Sequence, residues 1–377
     1  MIQLRRTAGS DADAPARPLV SIVTSGHDVA DARLHRHVSA LVRAGMRVEV
    51  LGLGDAADAP AGLERVRVTT RPPLWRRPLL AAELAWRAKG SVLISLDPES
   101  AFAAWTRVRL TRRSVIVDVH EDYRAVLEDR RWSRGLAKVA GRVLAQSGIL
   151  AARRADVTVV ADSHLMTELP ERVVVRNVPD VVENGARDDS PRAVYVGDVR
   201  ASRGLFEMVD AVERSEVWSL DLVGPVAADD RDALASRVAA LGDRVRIHGR
   251  LRPDESWRIA AGAWAGFSLL HDTPAFREAT PSKIYEYLAH GIPVLATPLH
   301  AQACLVEDAA AGALVPDGDA AARQLDAWAA DPDAHAALCR AALDWASTSS
   351  AYAEGSGRMA AAVEAALGME PTGTARV

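Results

Sequence analysis

"FREATPSKIYEYLAHGIPVLAT", residues 276–297, reads as a helix that stops on a glycine and turns at once into an apolar strand. Thr280 can cap, Pro281 suits the first helical position and Gly291 the left-handed stop, so a helix is expected over about Pro281–His290. A strand is expected over Ile292–Thr297. Helix, tight glycine turn and buried strand in that order are the grammar of an open parallel sheet.

The same stretch carries chemistry. The start of a helix offers unpaired N–H groups and the positive end of the dipole, which suit a phosphate, and Lys283 in the first turn adds a mobile cation. Glu286, further along the same helix, is an acceptor for a vicinal diol such as that of a ribose. Together these suggest a nucleotide diphosphate. Glu278, eight positions earlier, is a second carboxylate; on spacing alone both also read as surface residues of an ordinary helix.

Outward from this stretch the rhythm repeats. Strands are expected at "PLVSIVT" (18–24), "RVEVLGL" (47–53), "SVLISLD" (91–97), "VIVDVH" (115–120), "DVTVVAD" (156–162) and "RVVVRNV" (172–178), with a helix over about Asp31–Ala44 and others between. The polar segment "DVVENGARDDSPR" then breaks the pattern and reads as a linker. Strands resume at "AVYVGDV" (193–199), "SLDLVGP" (219–225), "VRIHG" (245–249) and "GFSLL" (266–270), with helices near 204–214, 228–241 and 253–262. Residues 320–366 are alanine-rich and helical. The domain reading is a loose tail over 1–17, an α/β domain over 18–180, a second over 181–345, and a C-terminal helix and tail over 346–377 that pack back on the first domain. In open parallel sheets ligands bind outside the carboxyl ends of the strands, so the cleft between the halves is the expected site.

Composition sets bounds. At 377 residues, 49% of them hydrophobic and 25% charged, the chain has the profile of a globular protein of two domains. The N-terminus lacks the apolar core of a secretory signal, and no apolar run is long enough for a bilayer span. Cys304 and Cys339 have no metal-ligand spacing, and neither the paired aspartates of "ARDDSPR" nor those of "AADDRD" read as a metal site. G-x-G-x-x-G is absent. Residues 1–180 carry 28 Lys and Arg against 21 Asp and Glu, the remainder 18 against 29. The basic excess concentrates between Arg65 and Arg154, where Trp75, Trp86, Trp105 and Trp132 are interspersed. As a helix, 130–153 would carry Arg130, Arg131, Arg134, Lys138, Arg142 and Arg153 on one face and Leu136, Val139, Val143 and Leu150 on the other. That pattern reads either as a face toward an anionic membrane or as an ordinary helix packed on its sheet. A cytoplasmic location, peripheral on the inner face of the cell membrane in the first case, is expected.

Glu278, seven residues and Glu286, followed by "YLAHGIPVLAT", resemble the E-x7-E region of retaining glycosyltransferases of the GT-B fold, family 4. "SGHDVADARLHRHVSALVRAGMRVEVLGL", "VDVHEDY", "VVVRNVPD" and "YVGDVRASRGLFEMVDAV" resemble that family's other segments in order, from about residue 19 to 316. The resemblance implies two Rossmann-like domains with parallel sheets facing across a cleft. It also implies transfer of a sugar from a nucleotide-diphosphate sugar to a hydroxyl acceptor, with no cofactor, no metal and no nucleic acid. The acceptor would be a glycan, a lipid-linked sugar or a small molecule.

Residue by residue, it places Glu286 at the donor ribose, Glu278 near the sugar and the reacting centre, and His120 facing the sugar across the cleft. Arg203 stands at the family's diphosphate-binding lysine, and Ser282 and Lys283 take over contacts where the usual glycines are Ala279 and Pro281. Asp198 stands where an arginine is usual; Arg200 either restores that charge or is a solvated turn residue. Gly26, Asp28 and Arg33, in the first strand-to-helix loop, would shape the acceptor pocket. A nucleotide-sugar isomerase on the same fold and a catalytically silent nucleotide or glycan binder are the competing readings.

Overall fold

The computed structural model describes residues 17–129, 135–179 and 186–369. The first sheet holds β1 (Leu19–Asp28), β2 (Arg47–Leu53), β3 (Arg65–Thr69), β4 (Val92–Ser95), β5 (Ser114–Val119), β6 (Val157–Val160) and β7 (Val173–Val174). Their order is β3-β2-β1-β4-β5-β6-β7 and every pairing is parallel. The second sheet holds β8 (Arg192–Val196), β9 (Ser219–Val223), β10 (Val245–Gly249), β11 (Ala265–Ser268), β12 (Val294–Ala296) and β13 (Gly312–Leu314). Its order is β10-β9-β8-β11-β12-β13, again parallel.

Helices cover both faces, as parallel sheets require. They are α1 (Ala32–Arg43), α2 (Arg77–Arg87), α3 (Pro98–Leu110), α4 (Tyr123–Asp129) and α5 (Gly135–Ala152) on the first sheet. The second carries α6 (Leu205–Arg214), α7 (Arg231–Val238), α8 (Pro253–Ala260), α9 (Ser282–Ala289), α10 (His300–Ala309) and α11 (Gly318–Ala330). The chain then runs through α12 (Pro332–Thr348) and α13 (Ser350–Ala366). The two Rossmann-like sheets face each other across a cleft.

Local chemistry explains the elements that position this cleft. Asp31 caps α1 by accepting from the N–H groups of Arg33 and Leu34, and Leu34, Val38 and Leu41 recur at helical spacing and are fully buried. Each such side chain contributes about 1.5–3 kcal/mol of transfer free energy. In α9 the expected Thr280 cap moves one residue: Pro281 holds the cap position, and the Thr280 N–H donates instead to Asp162 Oδ2 at 3.2 Å. Gly291, at φ 65°, makes the expected stop. The Tyr287 ring lies against Gly266 of β11, where any side chain would collide with it, and its hydroxyl accepts from Val196 N at 3.1 Å.

Beneath the first half of the cleft lies a buried ion pair. Arg33 Nε and Nη2 each donate to Asp118 at 2.6 Å, Arg33 Nη1 donates to Val175 O at 3.0 Å, and His37 Nε2 lies 2.7 Å from Asp118. Burial alone would raise the Asp118 pKa, but Arg33 and His37 outweigh it and hold the carboxyl far below its ordinary range. The chain's end returns to this half: Met359, Ala362 and Val363 of α13 are buried in one cluster with Val20, Ile22 and Leu34.

Helix 5 differs from the amphipathic reading of 130–153. Arg130, Arg131, Arg134 and Trp132 lie outside the described residues. The inward face of α5 is made of Ala145, Gly148, Ile149 and Ala152, whereas Val139 and Val143 are exposed. The glycine is the reason: a Cβ on Gly148 would stand 2.7 Å from Pro98 Cα, so the backbone approaches α3 along its small-residue stripe.

Candidate active site

The cleft has a volume of about 640 Å³ and is walled by the carboxyl ends of strands from both sheets. On the second sheet the loops after β8 and β9 cross closely. Gly197 and Gly224 have φ 138° and 142°, and a side chain on Gly224 would collide with the Gly197 carbonyl. Gly204, left-handed at φ 79°, packs so close to Leu269 that no Cβ fits, and this turn sets Arg203 into the cleft.

Lys283 enters the same wall from the first turn of α9, with Nζ 4.9 Å from the Tyr195 ring centroid. The Arg203 guanidinium carbon lies 5.6 Å from the Phe276 ring centroid, and its Nε is buried without a hydrogen-bond partner. Burial and the neighbouring Arg203 lower the Lys283 pKa to about 7. Desolvation works against the charge of Arg203, but Tyr195, Asp198 and Glu121 outweigh it and raise its pKa. Among the described residues neither cation forms an ion pair, an arrangement suited to an incoming anion. Ser282 and Asp198 line this wall as well.

One turn on, Glu286 is buried and also lines the cleft. Its Oε1 accepts from Arg36 of α1, across the cleft, and Arg36 also donates to the backbone and side-chain oxygens of Asn177. Glu278 is placed differently: it is exposed on the loop before α9 and is not among the residues lining the cleft. Arg200 is half-buried, its guanidinium carbon 5.8 Å from the Phe276 centroid, and it too stands outside the lining.

The opposite wall comes from the first sheet. His120 follows β5, has a buried Nδ1 without a hydrogen-bond partner, and meets the edge of His27 with ring centroids 4.8 Å apart. Desolvation opposes charge on His27, but Asp97, with Asp31 and Glu121, overcomes it and raises the pKa to about 9. Burial and that neighbouring charge lower the pKa of His120. The wall thus offers an imidazolium beside a neutral imidazole.

Asp97 also accepts from Thr24 Oγ1 at 2.7 Å, Ser25 N at 2.9 Å and Gly26 N at 3.2 Å, while Arg71 holds the Gly26 carbonyl at 3.0 Å. Asp28 lines the cleft and accepts from Ala30 N at 3.1 Å. Arg33 lines it as well, but its guanidinium is spent on Asp118 and Val175, so it braces the wall from beneath.

Arg36, His27, Asp97 and Asp162, together with Arg250 and Trp257, which also line the cleft, were not among the residues expected from sequence. His27, between Gly26 and Asp28, carried the one local signal.

This is the GT-B architecture. Residues 190–331 match the family model described as glycosyl transferases group 1, which spans most of the second half of the chain. Among solved structures, Anabaena HepE in complex with UDP-glucose aligns at TM-score 0.70 and 17% identity, over 92% of this chain and 100% of that one. Sucrose-phosphate synthase from Thermosynechococcus elongatus aligns at 0.67 and 16%, over 88% and 94%. WaaG, a glycosyltransferase of lipopolysaccharide biosynthesis, aligns at 0.62 and 16%, over 89% and 96%. At these identities the likeness is one of fold. A comparison with curated proteins gives no match.

Proposed function

We propose that the protein transfers a sugar, with retention at the anomeric carbon and without a metal, from a nucleotide-diphosphate sugar to a hydroxyl acceptor in glycan, glycolipid or cell-surface polysaccharide synthesis. The carrying observation is that Lys283, Arg203 and Glu286 converge on one wall of an interdomain cleft, two cations placed for a diphosphate and a carboxylate one helical turn away for a ribose. His120 faces the sugar from the other wall, and Gly26 and Asp28 border the acceptor. HepE, whose structure holds UDP-glucose, supports the reading by its fold.

The test is thermal unfolding with uridine, guanosine and thymidine diphosphates. The preferred nucleotide at a hundred times its dissociation constant adds about 2.7 kcal/mol, and no shift with any of the three would overturn the proposal. Glu286→Ala is expected to weaken binding of that nucleotide by about 1.5–3 kcal/mol, the worth of one charged hydrogen-bond acceptor. Glu278→Ala should leave this affinity unchanged; a fall in turnover alone would show that its loop turns inward over the bound sugar.

The pH dependence follows from Lys283. With a pKa of about 7, it is half neutral at neutral pH, and a bound diphosphate favours its protonated form. Nucleotide binding therefore takes up a proton, and affinity is expected to fall by up to about tenfold per pH unit above 7. Lys283→Met should flatten that slope. Calorimetry in buffers of different ionisation enthalpy measures the uptake directly, and identical heats in all buffers would contradict it.

A second reading, a nucleotide binder that does not transfer, is favoured by Asp198 lining the diphosphate wall where the resemblance places an arginine. A nucleotide-dependent thermal shift without turnover of any sugar nucleotide would select it.

A further inference from the structure

Helices α2, α3 and α5 pack side by side on one face of the first sheet, α3 in the middle. Their outer surface is unusual. Eight of the eleven exposed large hydrophobic side chains among the described residues fall between residues 74 and 143. Trp75 precedes α2, Leu79 and Trp86 lie on it, Leu110 ends α3, and Val139 and Val143 lie on α5; Leu110 is 70% exposed and both Trp75 and Leu79 are 69% exposed. Scattered apolar residues need no explanation, but a concentration on one helical layer marks a surface that meets something.

The charges on the same layer say what. Segments 74–87, 98–113 and 135–152 carry nine Lys and Arg against two Asp and Glu; Arg107 is buried and Arg77 is paired with the buried Glu99, which leaves seven bases against one acid, Glu83, itself paired with Arg87. Arg76, Arg87, Arg109, Arg112 and Arg142 are exposed among the apolar residues. Arginines also flank the tryptophans: the guanidinium carbon of Arg76 is 4.7 Å from the Trp75 ring centroid and that of Arg109 is 6.0 Å from Trp105. A second copy of the chain would bring like charges together on this face, and a nucleic-acid backbone would leave the valines and leucines without a use. Both requirements are met by a surface that is anionic at its headgroups and apolar just beneath.

We propose that the outer face of α2, α3 and α5, with Trp75 at its edge, docks on an anionic lipid bilayer. No helix among the described residues is long and apolar enough to cross a membrane, so the contact is interfacial. The face borders the cleft: Arg71 lines it, and Arg77, two residues after Trp75, lies against Gly26. Docking therefore brings the wall formed by Gly26 and Asp28 to the membrane surface, where a lipid-linked acceptor would be held. The docking itself does not depend on the transferase reading.

The experiment is co-sedimentation of the full chain with phosphatidylcholine vesicles, with and without phosphatidylglycerol, at low and high salt. Binding is expected with phosphatidylglycerol at low salt and should fall by tenfold or more at high salt, since each engaged charge is worth roughly fivefold in partition. The triple variants Trp75→Ala/Leu79→Ser/Trp86→Ala and Arg87→Glu/Arg109→Glu/Arg142→Glu should each lose about tenfold or more while keeping wild-type thermal stability and nucleotide-induced shift. Absence of pelleting with anionic vesicles at low salt, or pelleting unchanged in both variants, overturns the proposal. So does a dimer or duplex-DNA complex lost in the same variants when vesicles do not bind. A protein that docks but fails the nucleotide shift keeps this inference and loses the transferase reading.

Discussion

Arg203→Ala is expected to lower the rate of sugar transfer by about a hundredfold or more, with a smaller effect on nucleotide affinity. The guanidinium is held before substrate arrives: Gly204 fixes the turn behind it, Phe276 lies beside it, and it stays charged at any working pH. A cation placed in advance costs no reorganisation when the diphosphate departs, so it favours the transition state over the bound donor. Arg203→Lys keeps the charge but loses the fork, and should recover only part of the rate. Single-turnover measurements at saturating donor separate chemistry from binding. Transfer is also expected to persist in excess chelator; loss of activity restored by magnesium or manganese would give the leaving-group role to a metal, and an unchanged rate in Arg203→Ala would remove it from this residue.

Asp118→Ala is expected to cost about 3–5 kcal/mol of folding stability, because it leaves Arg33 buried and uncompensated. Asp118 is fully buried and Arg33 is 6% exposed, so water cannot take over the charge. The double variant Asp118→Ala/Arg33→Met should recover part of the loss, since it leaves no unpaired buried charge, only His37 Nε2 and the Val175 carbonyl without their partners. The pH dependence has a definite sign. Asp118 titrates far below its ordinary range in the folded chain, so the stabilisation is present above the unfolded value near pH ~4 and is lost as pH falls below it. Denaturant unfolding of the first domain measures the cost, and nucleotide binding to the second wall should survive. An Asp118→Ala protein as stable as wild type would show that the Arg33 charge is compensated without Asp118, whereas a double variant as stable as wild type would show that the pair merely breaks even with its desolvation.

What could be read from sequence was what is written locally. Strand, glycine turn and helix recur often enough to give two parallel sheets, and α9 announces itself through Pro281 and Gly291. Lys283 and Glu286 fall on the cleft because their helix does. β3 escaped because Arg65, Val66, Arg67 and Val68 alternate like an edge strand and form no apolar run. Spacing could not decide which way the loop before α9 turns, and there Glu278 and Glu286 part company. Arg33 was legible as a residue near the site but not as a brace, since its partner Asp118 is 85 positions away. The same holds for Arg36, whose contact with Glu286 spans 250 positions and both domains. In α5 the amphipathic pattern misled because Gly148 lets a small-residue stripe, rather than the valines, face the sheet.

Because Met359 and Val363 complete the cluster around Val20 and Ile22, the first domain is expected to finish its core only after α13 has been made. A ribosome adding about 5–20 residues per second needs tens of seconds to reach α13 after β1 has emerged. During that interval the second domain can close its own core, while the first exposes the apolar surface meant for α13. The second domain is then expected to finish folding before the first. A nascent chain stalled before residue 350 should be the form that chaperones hold and proteases cut, with the cuts falling in the half that was made first.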